Sequence, residues 1–86
     1  PKGFGVLEMV SEDRSKAIAG VFKLGGMAQS DYLLRFRGLD PAKEYQVTID
    51  STQTTFEADG DDLMYEGLAL HLEAPLASEL LIVSEE

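Results

Sequence analysis

Apolar and polar residues alternate along much of this chain with a period of two, which is the spacing of side chains on one face of a β-strand. The pattern is clearest at residues 44–50, where Tyr45, Val47 and Ile49 are predicted to point inward and the residues between them are polar. The same alternation predicts further strands at 4–10, 16–24, 32–37, 54–57, 68–73 and 78–83. Turn residues separate these segments. The pattern therefore predicts an all-β fold, an antiparallel β-sandwich of the Greek-key type with about seven or eight short strands.

Two predicted turns that contain glycine interrupt this alternation. Gly38, Asp40 and Pro41 close the third predicted strand, because proline presets the backbone angle φ and aspartate can bond the backbone beyond it. Gly25 and Gly26 end the second predicted strand. No phosphate-binding spacing surrounds this glycine pair, so it predicts a turn and not a nucleotide site.

Tyr65 differs from the other aromatic residues because it lies outside the predicted strands. Its ring is therefore the one most available to stack on a sugar. Asp61 and Asp62 lie just before it and offer acceptor oxygens, and either one is also expected to cap a single helical turn through residues 63–64. Four aromatic residues fall in the predicted core phase of their strands: Phe22, Tyr32, Phe36 and Tyr45.

Composition limits the classes of partner. The 86 residues include 7 Lys and Arg against 16 Asp and Glu, a net charge of −9, so neither nucleic acid nor an anionic membrane is expected to bind. No apolar run approaches the roughly 20 residues that span a bilayer. The absence of cysteine excludes thiolate catalysis and disulfides. This length allows one domain, which we expect to comprise residues 1–86.

No set of residues predicts catalysis or a bound cofactor. A glycosidase needs two carboxylates that face each other, but the acids here are expected in loops or on solvent-facing strand positions such as Glu8. His71 is the only histidine, which excludes a multi-histidine metal site, and we expect it at the solvent side or edge of its strand. Asp59, Asp61 and Asp62 lack the later glutamate of a calcium-binding EF-hand loop, so they predict an ordinary loop.

Two segments together carry a resemblance to a known family. Residues 34–41 read Leu-Arg-Phe-Arg-Gly-Leu-Asp-Pro, and Tyr45 follows; residues 60–64 read Gly-Asp-Asp-Leu-Met, and Gly67 follows. The combination resembles the C-terminal β-sandwich domain of the family 36 glycoside hydrolases, the α-galactosidases. Nine motif residues are expected to have structural roles: Gly38, Leu39, Asp40, Pro41, Tyr45, Gly60, Leu63, Met64 and Gly67.

The resemblance implies a non-catalytic role. In that family the nucleophile and the acid/base are aspartates of an upstream (β/α)₈ barrel, and no position of this chain matches either motif. We therefore expect a C-terminal accessory domain, with the barrel as its partner, taken from a larger enzyme that acts on raffinose-type or melibiose-type oligosaccharides. The first residue, Pro1, is not methionine, which fits a fragment. The resemblance also implies that the parent enzyme is oligomeric and cytoplasmic.

Two other functions stay open on the residues alone. A carbohydrate-binding module would use Tyr65 as a stacking surface and Asp61 and Asp62 as acceptors of hydrogen bonds from an oligosaccharide. A protein-interaction domain would instead use an exposed sheet edge.

Overall fold

A computed structural model describes residues 3–24, 30–73 and 77–86 of the chain. Within these residues seven strands form, and every pair of neighbours is antiparallel, which confirms the predicted all-β antiparallel fold. The turn predicted at Gly25 and Gly26 lies outside the described residues. Among the described residues, no helix has the length and apolar character needed to cross a membrane. The elements are β1 (Phe4–Val10), β2 (Lys16–Lys23), β3 (Asp31–Leu34), β4 (Glu44–Ile49), β5 (Thr54–Asp59), a π-helical turn (Asp62–Glu66), β6 (Leu68–His71) and β7 (Ser78–Glu85).

The strands form two sheets that share one core. Five strands lie in the order β1-β2-β7-β4-β5, and β3 pairs with β6 in the second sheet. Leu34 and Leu70 of the smaller sheet belong to the same buried cluster as Val21, Tyr45 and Leu81 of the larger one. Two sheets with their apolar faces against each other are the basis of a β-sandwich.

One predicted core residue, Phe22, is on the outer face of its strand. Its side chain is 39% exposed, whereas Ala17, Ala19 and Val21 of the same strand are buried. Both faces of β2 carry apolar residues, so the alternation does not distinguish them. The small side chains face inward because larger groups from other strands, such as the ring of Tyr45, already fill the core.

The other three aromatic residues predicted to face the core do so. Phe36 and Tyr45 are buried, and Tyr32 is half-buried with its ring centroid 5.0 Å from that of Phe4. Phe36 lies beyond the end of β3, although the alternation predicts a strand through that position. Its N–H donates to the carbonyl oxygen of Leu63 in the π-helical turn, at 3.0 Å, and not to a neighbouring strand.

The outer side of the five-stranded sheet has two different halves. Strands β1, β2 and β7 expose apolar side chains there, and Leu7 and Met9 are the most exposed, at 66% and 73%. The outward side chains of β4 and β5 are mainly polar. We call the first group the apolar outer face, which consists of Leu7, Met9, Ile18, Phe22, Leu24, Leu80 and Ile82.

Lys23 is a buried charged residue at the end of β2. Its Nζ donates to the Ser30 hydroxyl and to the carbonyl oxygen of Glu73, both at 3.2 Å. Ser30 precedes β3 and Glu73 follows β6, so these bonds connect the larger sheet to the ends of the smaller one. The ammonium group is thereby hydrogen-bonded where burial would otherwise be costly.

Candidate functional site

The first motif segment forms a tight turn between β3 and β4. The carboxylate of Asp40 accepts a hydrogen bond from the Ala42 N–H at 2.9 Å, and its carbonyl oxygen accepts one from the Lys43 N–H at 3.1 Å. Pro41 lies between these donors and acceptors and is exposed, while Leu39 before them is fully buried. The turn therefore reverses the chain direction and anchors it in the core.

Tyr45 joins this turn to the hairpin between β1 and β2. Its side chain is fully buried. Its hydroxyl accepts a hydrogen bond from the Asp40 N–H at 2.9 Å and donates one to the carbonyl oxygen of Arg14 at 2.8 Å. Arg14 has a φ of 62°, which residues other than glycine seldom adopt. The tyrosine hydroxyl thus satisfies backbone groups of two loops that are far apart in the sequence.

The Arg14 loop is also held by a carboxylate. Asp13 accepts hydrogen bonds from the hydroxyls of Ser11 and Ser15 at 2.8 and 2.7 Å, and from the Ser15 N–H at 3.0 Å. The bonds from Ser15, followed by that from Ser11, lower the pKa of the Asp13 carboxyl to about 2. The loop that receives the Tyr45 hydroxyl therefore has its own network of hydrogen bonds.

Gly60 brings the second motif segment against the first. Its N–H donates to the carbonyl oxygen of Lys43 at 2.8 Å. A Cβ atom at this position would overlap the carbonyl oxygen of Asp40 and would lie 3.1 Å from Cε2 of Tyr45. Only glycine allows the two backbones to approach this closely. We call the contact among Asp40, Tyr45 and Gly60 the motif junction.

The rest of the second motif segment forms the π-helical turn and the residue that ends it. Leu63 is buried and Met64 is half-buried. The turn ends at Gly67, whose φ of 85° lies in the region that favours glycine. A Cβ atom there would lie 2.9 Å from the carbonyl oxygen of Leu34. The Gly67 N–H donates to the carbonyl oxygen of Asp62 at 2.8 Å, which closes the turn.

Glu8 is not on the solvent-facing side of its strand, contrary to the sequence prediction. It is half-buried, and its carboxylate accepts hydrogen bonds from the N–H groups of Arg37 at 3.0 and 3.1 Å and of Gly38 at 3.2 Å. These N–H groups lie beyond the backbone pairing of β3 with β6, which ends at Leu34, so they are available to the carboxylate. A Cβ atom at Gly38 would lie 2.7 Å from Cγ2 of Val10, so the segment lies directly against β1.

An open groove of about 900 Å³ lies beside this contact, between strands β1 and β3. Apolar side chains such as Val6 and Phe36 line it together with Arg35, Arg37 and Glu8. Sequence reasoning did not find this groove, because β1 and β3 belong to different sheets and lie side by side only in the packed structure. The carboxylate of Glu8 is already hydrogen-bonded to backbone amides.

The three residues considered for sugar contact lie on one turn. Tyr65 is 62% exposed, and its carbonyl oxygen accepts a hydrogen bond from Nε of Arg35 at 3.1 Å. Asp61 lies at the N-cap position, but its side chain makes no capping hydrogen bond, so capping by Asp61 was wrongly predicted. Asp62 is exposed in the first residue of the turn. A contact between these residues and a sugar stays a prediction.

Asp62 also borders a small acidic depression of about 240 Å³, with Glu44, Glu57 and Asp59. All four side chains are exposed. Nearby, partial burial raises the pKa of the Glu86 carboxyl above its ordinary value, and Glu57 acts in the same direction. Among the described residues, no group of three or more potential ligands is placed to hold a metal ion.

His71 lies on the exposed surface of β6, in agreement with the sequence prediction. Its Nδ1 is 2.7 Å from Oδ1 of Asp31, the residue opposite it on β3. This hydrogen bond to Asp31 raises the pKa of His71 above its ordinary value. Sequence reasoning missed the pair because Asp31 and His71 become neighbours only through the strand register.

Comparison with known families gives one match over most of the chain. The profile described as the glycosyl hydrolase family 36 C-terminal domain matches residues 5–83. Both motif segments lie within this range. A search of curated proteins found no match.

Solved α-galactosidase structures contain a similar fold. The family 36 α-galactosidase AgaA from Geobacillus stearothermophilus aligns over 98% of this chain at 28% identity, with a TM-score of 0.79. The α-galactosidase from Lactobacillus brevis aligns over 98% at 25% identity, with a TM-score of 0.75. The galactosidase domain of the α-galactosidase-sucrose kinase AgaSK aligns over 100% at 23% identity, with a TM-score of 0.79.

This chain is much shorter than the three enzymes. This chain covers only 11% of the AgaA chain and 12% of each of the other two. Variants of AgaA have been solved in complex with raffinose and with stachyose.

Proposed function

This chain belongs to the glycosyl hydrolase family 36 C-terminal domain family, and from that membership we propose that it is a non-catalytic accessory domain of an α-galactosidase. It stabilises the catalytic (β/α)₈ barrel of its parent enzyme or the assembly of that enzyme. The observation that carries the proposal is the match of the family profile to residues 5–83 of this chain. The chain itself covers only 11–12% of the similar enzymes.

The contacts of the motif residues support this role. Polar groups of Asp40 and Tyr45 bond to backbone groups within the domain, and the backbone N–H of the motif residue Gly38 donates to the carboxylate of Glu8. The acids that border the depression at Asp62 have exposed side chains, which does not favour a shielded catalytic pair of carboxylates among them. The motifs that identify the family therefore serve the architecture of this domain, while hydrolysis belongs to another part of the parent enzyme.

The oligosaccharide substrate of the parent is proposed from the family. Enzymes of that family act on terminal α-galactosyl residues of raffinose-type or melibiose-type sugars. The complexes of AgaA with raffinose and stachyose support the same class of substrate for the parent. An oligomeric, cytoplasmic parent enzyme is proposed on the same basis. Size-exclusion chromatography and cell fractionation of the parent test these two properties.

The direct experiment measures hydrolysis. The purified 86-residue chain is incubated with a chromogenic α-galactoside, beside a mock purification that reveals contaminating enzyme. We expect no release of product above that control. Product release that follows the concentration of the purified chain would overturn the assignment as a non-catalytic domain.

A carbohydrate-binding role has one observation in its favour, the 62% exposure of Tyr65 beside two exposed aspartates. An NMR titration with galactose, melibiose and raffinose tests it at tens of millimolar, where weak binding is visible. Saturable shifts near Tyr65 that disappear in the Tyr65→Ala variant would establish a sugar site. Unchanged amide signals in this region would remove that alternative.

A further inference from the structure

We propose that the apolar outer face is the surface by which this domain packs on an apolar surface of its parent's catalytic domain. The inference rests on the proposed function, and it assigns that contact to one face of the five-stranded sheet. The seven side chains of the face come from β1, β2, β7 and the residue after β2.

The strand register makes these side chains contiguous. Met9 lies opposite Ile18, and Ile18 lies opposite Ile82, so one apolar row crosses three strands. In the next row, Leu7 and Leu80 flank Gly20. Soluble domains rarely expose a contiguous apolar patch without a use for it, because covering such a patch removes unfavourable contact with water.

The shape of the face is shallow. A Cβ atom at Gly20 would lie 3.2 Å from Cζ of Phe22, so the Phe22 ring lies over this glycine. At Gly5, a Cβ atom would lie 3.8 Å from Cδ2 of Phe22 and 3.9 Å from Cδ1 of Leu24. The glycines leave room for the ring to lie along the sheet, which suits contact with a broad surface and does not create a deep pocket.

The other half of the same outer surface provides the contrast. There, the hydroxyls of Thr48 and Thr55 are 3.2 Å apart, and Gln46 and Glu57 face each other in the register of β4 and β5. These polar side chains suit contact with water. The boundary between the halves lies where Ile82 of β7 meets Thr48 of β4, which gives the proposed interface a defined edge.

Charge and length favour the catalytic domain over a second copy as the partner. A chain with a net charge of −9 repels its own copies, which opposes self-association through a neutral patch. The similar enzymes are much longer, since this chain covers only 11–12% of them. In a parent of similar length, the rest of the chain would meet this face at the high effective concentration of a covalent connection.

Hydroxyl-radical footprinting tests the face directly. The isolated chain and the full-length parent enzyme are exposed to the same radical dose, and oxidation of Leu7, Met9 and Tyr65 is measured by mass spectrometry. In the parent we expect Leu7 and Met9 to be oxidised about tenfold more slowly, because oxidation follows exposure. Tyr65 lies outside the face and should change little, so it reports the dose.

Equal oxidation of Leu7 and Met9 in the two proteins would overturn the inference while leaving the non-catalytic role intact. Hydrolysis by the isolated chain would overturn the non-catalytic role, whereas slower oxidation of Leu7 and Met9 in the parent would still support the proposed face. Light scattering adds a third outcome: a dimer of the isolated chain in which Leu7 and Met9 are already protected would assign the face to a second copy and overturn the inference.

Discussion

The motif junction and the apolar outer face differ in where their groups find partners. At the junction, the hydroxyl of Tyr45 and the backbone of Asp40 and Gly60 are satisfied by groups of the same domain. On the outer face, Leu7 and Met9 remain largely exposed. The difference separates residues that determine the fold from residues that we propose determine how the fold is used in a larger enzyme.

The Gly60→Ala substitution should have the largest effect, because its Cβ atom would overlap a backbone carbonyl oxygen that cannot move aside alone. We expect the free energy of unfolding to fall by about 3 kcal/mol or more, measured by urea denaturation. Gly20→Ala is the matched control, since its Cβ atom would meet only the end of the Phe22 ring. Equal stability of the two variants would contradict a special role for the junction.

Tyr45→Phe tests the hydroxyl without removing the ring. It leaves the Asp40 N–H and the Arg14 carbonyl oxygen without this partner, so we expect a loss of about 2 kcal/mol in the free energy of unfolding. Tyr65→Phe serves as the control because its ring is exposed, and it should change stability by less than about 0.5 kcal/mol. A Tyr45→Phe variant as stable as this control would show that the hydroxyl does not stabilise the junction.

The double substitution Leu7→Gln and Met9→Gln addresses the other region. In the isolated chain we expect a change below about 0.5 kcal/mol, because both side chains are already exposed. In the full-length parent the same change should cost about 1.5 kcal/mol through lost apolar burial, seen as a lower Tm. Thr55→Gln with Glu57→Gln changes two outward positions of the polar half and should leave the Tm of the parent unchanged.

The pair of His71 and Asp31 lies outside both regions and should have the smallest effect. The pKa of His71 is raised in the folded state, so the pair contributes its full stabilisation below the pKa of unfolded histidine, about 6.5. The contribution is lost as the pH rises through the higher folded value. An NMR titration should show the His71 pKa moving down in Asp31→Asn. A smaller shift is expected in Glu73→Gln, since Glu73 Oε1 is 4.0 Å away.

The sequence predicted those parts of the structure that depend on local pattern. Strand β4 was predicted with its inward residues, because its two faces differ clearly in polarity. The inward face of β2 was predicted wrongly, because both of its faces are apolar. Which face points to the core depends on the volume that other strands contribute.

Groups that meet only in three dimensions also escaped prediction. The carboxylate of Glu8 reaches the amides of Arg37 and Gly38 across 29 and 30 positions of sequence. The contact of Gly60 with Asp40 and Tyr45 likewise joins two motif segments that the sequence shows only as separate stretches. Such contacts are set by sheet topology and register, which alternation does not encode.

The position of β7 has a consequence for how the domain is made. This strand is the last of the seven in chain order, yet it lies at the centre of the larger sheet, between β2 and β4. Without β7, the pairings of the larger sheet leave two separate hairpins, β1 with β2 and β4 with β5. Because β7 is the one described strand that pairs with both hairpins, we expect closure of the sheet to wait until Glu85 has been synthesised, and distant pairing of this kind is slow.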